Sequence, residues 1–598
     1  MFSTELYQQR HAAFEQLAHQ YQRKFNQLSW ARVLLFGLGI ISSYGLWHGY
    51  GGFTALAGGT AFLAAFIFLL QKHTQVGYQR NHAQHLSLLN QDEAARMGNQ
   101  FLREETGEIY EAANHPYSAD LDIFGKHSVF RILNRTRTWQ GAKQLATWLQ
   151  TTAIISEITS RQVAVQELTA KLAWRQELEA VAMHYLQVHL PIQGLLDWVA
   201  EPLVILPSSG LRSARALPFL TIPLLLAWAM DWVPSTVALS MILVHLLILS
   251  KVFKAVKQTC DKTTAVTQTL LAYANIIKHI EDEHFESKPL CLLQGVFKQQ
   301  YTLAASDAVQ RLATTLRNLN YRNNPYFYAL VGIASLWDLH FLLRTEQWKK
   351  EYRDSLPQWL AALAEWEALN SLAGFAFSNP AYTWPIVTAE PMVLQAEALG
   401  HVLIPASKRV TNDVQLDGMG KTLIITGSNM SGKSTFLRTV AINTVLALAG
   451  APVCAERFTT SVVQIFTSMR TQDSLEESVS SFYAELKRLK QLIERGKEGQ
   501  TLLYFLDEIL KGTNSQDRHV GAVALIRQLH QYQASGFIST HDLELGKMAA
   551  EHPDYIQNYS FSSEMSGSGL LFDYKLRTGV CQSFNASELM QQIGIEIR

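Results

Sequence analysis

From Val33 to Gln71 the chain carries no Asp, Glu, Lys or Arg, and no other feature narrows its fold as much. A run that long and uncharged either forms a hairpin buried in a soluble core or crosses a bilayer. In lipid only structures that satisfy their own backbone are allowed, which for one short stretch means helices. Gly49, Gly51 and Gly52 break the run into two spans, about 31–48 and 53–71. Each is near the ~20 residues that cover a hydrocarbon core. A second block, Ala216 to Ser250, holds a single charge, Asp231, and splits into about 215–230 and 233–250 with Pro218, Pro223 and Pro234 as punctuation. Arg23, Lys24, Arg32, Lys72 and Arg80 flank the first block, and Arg212, Arg215, Lys251, Lys254 and Lys257 the second, whereas neither turn carries Lys or Arg. The excess of cations on one side predicts two hairpins hung in the cytoplasmic membrane, with every long segment in the cytoplasm.

The rest of the chain reads as soluble domains. Lys+Arg and Asp+Glu balance at 51 each, so a nucleic-acid partner would need a local basic patch rather than a basic protein. Cys260, Cys291, Cys454 and Cys581 show no metal or disulfide spacing, which fits a reducing compartment. The first 28 residues are too polar for a cleavable leader. The expected order is an N-terminal helix (1–29), hairpin one (30–72), a helical linker (73–118), a helical core and lever (119–384) interrupted by hairpin two (215–250), and an α/β domain (385–598). The last assignment rests on three short apolar runs, Leu423–Thr426, Leu502–Leu506 and Gly536–Thr540, separated by helical patterns, as in a parallel sheet buried on both faces.

The first of these strands ends in Gly427-Ser428-Asn429-Met430-Ser431-Gly432-Lys433-Ser434-Thr435, which fits GxxxxGK[ST] and opens a helix predicted over Lys433 to Ala449. Between strand and helix this is a phosphate-binding loop rather than a mere glycine-rich turn. Backbone N–H groups cradle the phosphates, Lys433 reaches the β/γ-phosphates and the Ser434 hydroxyl binds Mg²⁺. Asp507 and Glu508 end the second strand, where a carboxylate pair suits a Mg²⁺-linked acid and a base that activates water. Without the loop they would read as a solvated strand end. His541, just past the third strand, is placed to sense a γ-phosphate, although a lone histidine is ordinarily structural. Ser480 and Ser481 start a helix; with Glu485 they make a capping box or, alternatively, present a hydroxyl to a phosphate held by a neighbouring subunit.

Together these stretches resemble the MutS family of ATPases. Thr426–Thr435 is similar to that family's TGPNMxGKST loop with Ser428 in place of proline, Asp507–Asp517 to its DEIGRGTSTYDG segment, and Ser539-Thr540-His541 to its ATH switch. Leu133–Gly141, Leu145, Trp148-Leu149, Arg161, Val165 and Leu168 resemble the start of the family's helical core, and Ala368–Ala373 its returning lever helix. The resemblance implies ATP and Mg²⁺ as cofactors and a homodimer with composite sites, completed by a serine such as Ser480 or Ser481. It also implies DNA as a partner. The family's Phe-x-Glu wedge is absent, a membrane hairpin stands where the mismatch reader should lie, and Arg409 falls where a phenylalanine commonly stacks on adenine. The sequence stops soon after Ile593-Gly594-Ile595, so neither an extended dimerisation tail nor a nuclease domain is expected.

The expectation is a membrane-anchored ATPase that clamps DNA, its phosphates met by Arg311, Arg317 and Arg322 among Asn318, Asn320, Asn323 and Asn324, unless that segment is a solvated helix face. The alternative is an ATP-gated membrane scaffold acting on protein partners. A transporter of the ABC type fits less well, because no LSGGQ signature is present.

Overall fold

The computed structural model describes residues 2–112, 114–185, 193–203, 209–298, 303–428, 430–470, 481–566 and 569–581. The chain divides into two compact units. One, helical, comprises Met1–Gln91, Thr136–Gly141 and Ala173–Glu367; the other, α/β, comprises Asp92–Arg135, Ala142–Leu172 and Ala368–Arg598.

In the helical unit the chain starts as one unbroken helix, Phe2–Tyr50, turns at Gly51 in the left-handed region (φ 90°) and returns as Gly52–Met97. The polar start and the first apolar span are one helix rather than two pieces. Nothing between Gln27 and Arg32 interrupts the hydrogen-bond ladder, since no Pro or Gly lies there. The arms approach closely at Gly58, where a Cβ would come within 2.5 Å of the Leu46 side chain. Their apolar stretches are almost wholly uncovered by protein. Outside those stretches the same helices dock on Leu172–Met183: Arg10 Nη2 donates to Gln176 Oε1 at 2.8 Å, and the amides of Asn90 and Gln176 bond each other at 3.0 and 3.2 Å.

The second apolar block forms the helices Leu217–Ala229 and Ser235–Thr263. The first of these has 13 residues. At ~1.5 Å per residue it extends ~20 Å, short of the ~30 Å hydrocarbon core. The expectation of a full span at 215–230 is therefore corrected: Pro223 sits inside the helix, and Met230 and the left-handed Asp231 end it early. By length and composition, three helices among the described residues are long and apolar enough to cross a membrane: Ser3–Tyr50, Gly52–Met97 and Ser235–Glu281. Beyond the block, Thr267–Glu281 packs along Ala305–Asn320, which packs in turn on Trp337–Tyr352, through apolar residues at helical spacing such as Leu312, Leu316 and Leu319.

In the α/β unit the strands are β1 (Ile386–Thr388), β2 (Val393–Leu399), β3 (Asn412–Asp417), β4 (Thr422–Gly427), β5 (Arg457–Ser461), β6 (Gln464–Ser468), β7 (Leu502–Asp507), β8 (Ser535–Thr540), β9 (Ile556–Ser566) and β10 (Gly569–Thr578). They form a small sheet ordered β1-β5-β2-β3 and a main sheet ordered β10-β9-β4-β8-β7-β6. Strands β9, β4, β8, β7 and β6 run parallel and β10 is an antiparallel edge. Every residue of β4 and β8 is buried. The helix Lys433–Ala449 lies on this sheet at β7 and β8, and Leu489, Leu492, Ile526 and Leu529 fill a core with Tyr504, Leu506 and Ile538.

Segments that the sequence groups with the linker and helical core belong to this unit. Asp120 accepts from Thr467 Oγ1 at 2.6 Å and from the N–H groups of Met469 and Arg470 at 3.1 Å. Arg135 is buried, donates to the carbonyls of Ile132 and Leu133, and meets Glu93 Oε2 at 2.8 Å. Burial pushes the Glu93 carboxyl up, but Arg135 and Arg96 outweigh it and hold the group below its ordinary value of 4.5. The pair's contribution is therefore complete above that value and is lost as pH falls through the lower folded one. Glu93→Gln, which leaves Arg135 buried without its carboxylate, should destabilise the unit by roughly 3–5 kcal/mol at neutral pH. The loss should be smaller near pH 3, both read as apparent unfolding midpoints of detergent-solubilised protein; an equal loss at both pH values would contradict the assignment.

Candidate functional site at the carboxyl edge of the main sheet

Parallel strands end on one side, so the segments after β4, β7 and β8 converge. Lys433 opens its helix directly after Gly432 (φ 103°), and its buried ammonium donates to the carbonyls of Gly427 and Ser428, both at 3.0 Å. Burial holds the Lys433 pKa below its ordinary value, opposed by Glu508 and Asp507. His541, from the end of β8, reaches Glu508 Oε1 at 2.9 Å and lies 3.5 Å from Lys433 Nζ. Lys511 Nζ adds an ion pair to Glu508 Oε2 at 3.2 Å. The hydrogen bond from His541, opposed by burial and aided by Lys511, draws the Glu508 carboxyl down to about 2. Glu508 is thus ionised across the physiological range. Asp507 accepts a hydrogen bond from Ser539.

A cavity of about 420 Å³ opens on this edge, lined by Ser431–Thr435, Met430 and Glu508 on one side and by His401, Lys408 and Tyr574 on another. The hydroxyls of Ser428 and Ser431 are buried with no hydrogen-bond partner among the described residues. A loop with orphaned donors, a buried ammonium and a helix N-terminus fits a phosphate chain. Ser434 lines the same cavity and Asp507 ends β7 next to the lining Glu508, so Ser434 and Asp507 are the residues that could hold a magnesium ion beside a bound phosphate chain. Gly427 (φ 153°) is required by space, since a Cβ there would come within 2.7 Å of the Phe561 carbonyl.

The predicted strands and the helix Lys433–Ala449 all form, and Lys433, Glu508 and His541 come together. Asn429 and Ser480 lie outside the described residues, as does the side chain of Ser481, whose backbone begins the helix Ser481–Lys497. The Glu485 carboxylate accepts from the N–H of Leu510. It thereby braces the turn after β7, where Glu508 (φ 53°) and Leu510 (φ 60°) both occupy the left-handed region. Arg409 is also corrected. Its guanidinium turns inward to Ile404 O at 2.7 Å and Cys454 Sγ at 3.0 Å and lies over the Tyr382 ring, so it offers no face to the cavity.

Flat side chains at the cavity include His401 and Tyr574, beside Phe436 and Phe561, and the sequence reading missed them. Burial holds His401 down to about 4, hence neutral, and its Nδ1 accepts from Leu403 N–H. Tyr574 sits at a register break between Phe572 and Leu576, held by Asn412 through hydrogen bonds to Tyr574 O and from Leu576 N–H. The only sequence signals are Gly400 before His401 and the polar Asp573-Tyr574-Lys575 inside an apolar strand.

Residues 423–594 match the family described as MutS domain V. In that stretch the chain resembles the MutS family. It is 32% identical over 237 residues to the DNA mismatch repair protein MutS of Natronomonas pharaonis, covering 39% of this chain and 27% of that protein. It is 30% identical over 242 residues to the endonuclease MutS2 of Geobacillus kaustophilus, covering 39% and 30%. With the DNA mismatch repair protein MutS of Thermotoga maritima it shares 28% identity over 250 residues, covering 42% and 31%. The match thus spans less than a third of each of these relatives. The α/β unit, which contains the matched stretch, carries the ATPase-type fold. Lys433→Ala should abolish nucleotide binding in a fluorescent-nucleotide titration, whereas Glu508→Ala should bind ATP with near-normal affinity and leave it uncleaved. Full hydrolysis by the Glu508 variant would refute its role as the base.

Proposed function

We propose that this chain is a membrane-anchored MutS-family ATPase that hydrolyses ATP as a homodimer with composite sites and clamps DNA without a mismatch reader. The observation that carries the ATPase reading is that Lys433 and Glu508 line one cavity and His541 contacts both. In this reading Lys433 leaves the two loop carbonyls to meet the β/γ-phosphates. Glu508, ionised and oriented by His541, positions a water and takes its proton. Ser434 and Asp507 hold Mg²⁺, which when bound neutralises charge on the phosphates. Ser480 or Ser481 completes the partner protomer's site. His401 and Tyr574 offer the nucleotide base two flat surfaces. DNA enters through the relatives, two of which are named as DNA mismatch repair proteins.

The anchor reading is supported by the first hairpin, whose uncovered apolar arms each supply ~20 residues. It places the protein in the cytoplasmic membrane with the α/β unit in the cytoplasm. One observation favours the alternative, a scaffold acting on protein partners. Arg322, a member of the expected phosphate-binding patch, is committed to the buried Asp338 at 3.1 Å, leaving Arg311 and Arg317 as the exposed cations of that segment.

The test is ATPase turnover of detergent-purified protein with homoduplex, mismatched, branched or no DNA at two salt concentrations. The clamp reading expects stimulation that fades steeply with salt, as counterion release requires, and no preference for mismatches. Turnover indifferent to every DNA would replace it with the scaffold. The anchor is checked separately: the full chain should stay in the membrane pellet after alkaline carbonate, and release into the supernatant would sink it.

A further inference from the structure

Between the helices Ala305–Asn320 and Trp337–Tyr352 the chain makes an unusual detour. Pro325–Phe327 continues into a π-turn, Tyr328–Gly332, and the next helix leaves at 92°. From Pro325 to Ile333 the segment, Pro-Tyr-Phe-Tyr-Ala-Leu-Val-Gly-Ile, contains no charged residue. Two of its large side chains point outward, Tyr326 at 80% exposed and Leu330 at 79%, whereas Phe327 and Ile333 are half-buried. Its polar groups point inward. Tyr328 Oη donates to Asp338 at 3.1 Å, Arg322 pairs with the same carboxylate, and the Asn324 side chain accepts from the N–H groups of Tyr326 and Phe327. The backbone closes on itself through Tyr328 N–H to Asn324 O and Ile333 N–H to Tyr328 O. A loop with a satisfied backbone and bare apolar side chains is built for an environment that offers no hydrogen bonds.

The neighbour of this loop identifies that environment. His245, fully buried in the helix Ser235–Thr263, places Nδ1 2.9 Å from the Ile333 carbonyl and Nε2 3.0 Å from the Thr221 hydroxyl. One imidazole thereby ties the loop to both arms of the second apolar block. Ile333 and Trp337 pack in the cluster that contains Leu249, Val252 and Val256 of that helix. The outward apolar faces of the block, such as Phe219, Leu239 and Leu243, are of the same kind as those of the loop. His245 precedes Lys251 by six residues, ~9 Å along the helix. That sets the loop just inside the level at which the flanking lysines would meet headgroups.

We propose that residues 325–333 form a third membrane-contacting element, dipping into one leaflet beside the second hairpin with Tyr326 and Leu330 against lipid. The proposal rests on the membrane-anchored reading and adds to it a site that the sequence reading did not mark. It also reassigns the segment following Arg317 from a nucleic-acid arm to a lipid contact.

The experiment is nitroxide accessibility in the full chain, reconstituted into vesicles of phosphatidylethanolamine and phosphatidylglycerol. The exposed Cys291 is replaced by serine, and single labels are placed by Leu330→Cys, Tyr326→Cys, Leu239→Cys and Leu292→Cys. Labels at 330 and 326 should favour oxygen over a water-soluble nickel complex, as at 239, with 330 shallower, while 292 favours nickel. Nickel access at 330 equal to that at 292, with 239 still oxygen-favoured, overturns the loop assignment and leaves the anchor standing. Nickel access at 239 as well takes the second block out of the lipid and overturns the proposal, with the first hairpin's anchor tested separately by alkaline extraction. Shielding of 330 from both reagents, with spin–spin broadening between copies, assigns the face to a second chain and also overturns the proposal.

Discussion

A buried ammonium must be met by oxygen, and the α/β unit is organised around meeting that of Lys433. The lysine stands at the first turn of a helix that starts where β4 stops, so its charge shares a small volume with the helix N-terminus. Carbonyls of the glycine loop hold it in the structure described, and a chain of phosphates would hold it far better. Placing Glu508 and His541 next to it follows from the parallel sheet, which brings the carboxyl ends of β4, β7 and β8 to one edge. The left-handed turn after β7 then swings Glu508 out of the strand's alternation and towards the lysine. Glu485, reaching across to Leu510 N–H, holds a turn that non-glycine residues rarely adopt.

How much of this could be read from the sequence depended on how each feature is encoded. Strands buried on both faces write themselves as unbroken apolar runs, which is why β4, β7 and β8 were legible. The small sheet was not, because β2 and β3 alternate buried and exposed residues over short lengths and carry Gln, Glu and Asp on the open face. Lys433, Asp507, Glu508 and His541 were legible through contiguous motifs whose chemistry dictates their spacing. His401 and Tyr574 lie far from those motifs and reach the cavity through a loop and a strand irregularity, marked in the sequence only by Gly400 and the polar Asp573-Tyr574-Lys575. Arg409 shows the converse error: a position inferred by correspondence, whose side chain is claimed by Ile404, Cys454 and Tyr382.

The apolar segments teach a similar lesson. Hydropathy located both blocks but not their reach, since the length of Leu217–Ala229 was decided by where the chain turns rather than by where charges begin. The segment after Arg317 misled in the opposite direction. Its arginine and asparagines suggested a polar surface, yet Arg322 is committed to Asp338 of the following helix and Asn324 to the loop's own N–H groups, while Tyr326 and Leu330 stay outermost. A polar residue counts towards a surface only if its partners are not already within the fold.

The division of the chain into units bears on how the protein is made. The α/β unit is assembled from three stretches, 92–135, 142–172 and 368–598, with most of the helical unit between the second and the third. During synthesis the apolar hairpins emerge early, while the Asp120 loop waits for β6 and the turn that follows it, more than three hundred residues downstream. Contacts this distant in sequence are slow to form and leave apolar surface uncovered in the meantime. A nascent chain held at the bilayer by its first hairpin would spend that interval spatially confined, which limits encounters with other unfinished chains. The same interleaving means that the catalytic unit cannot be freed from the helical one by a single cut.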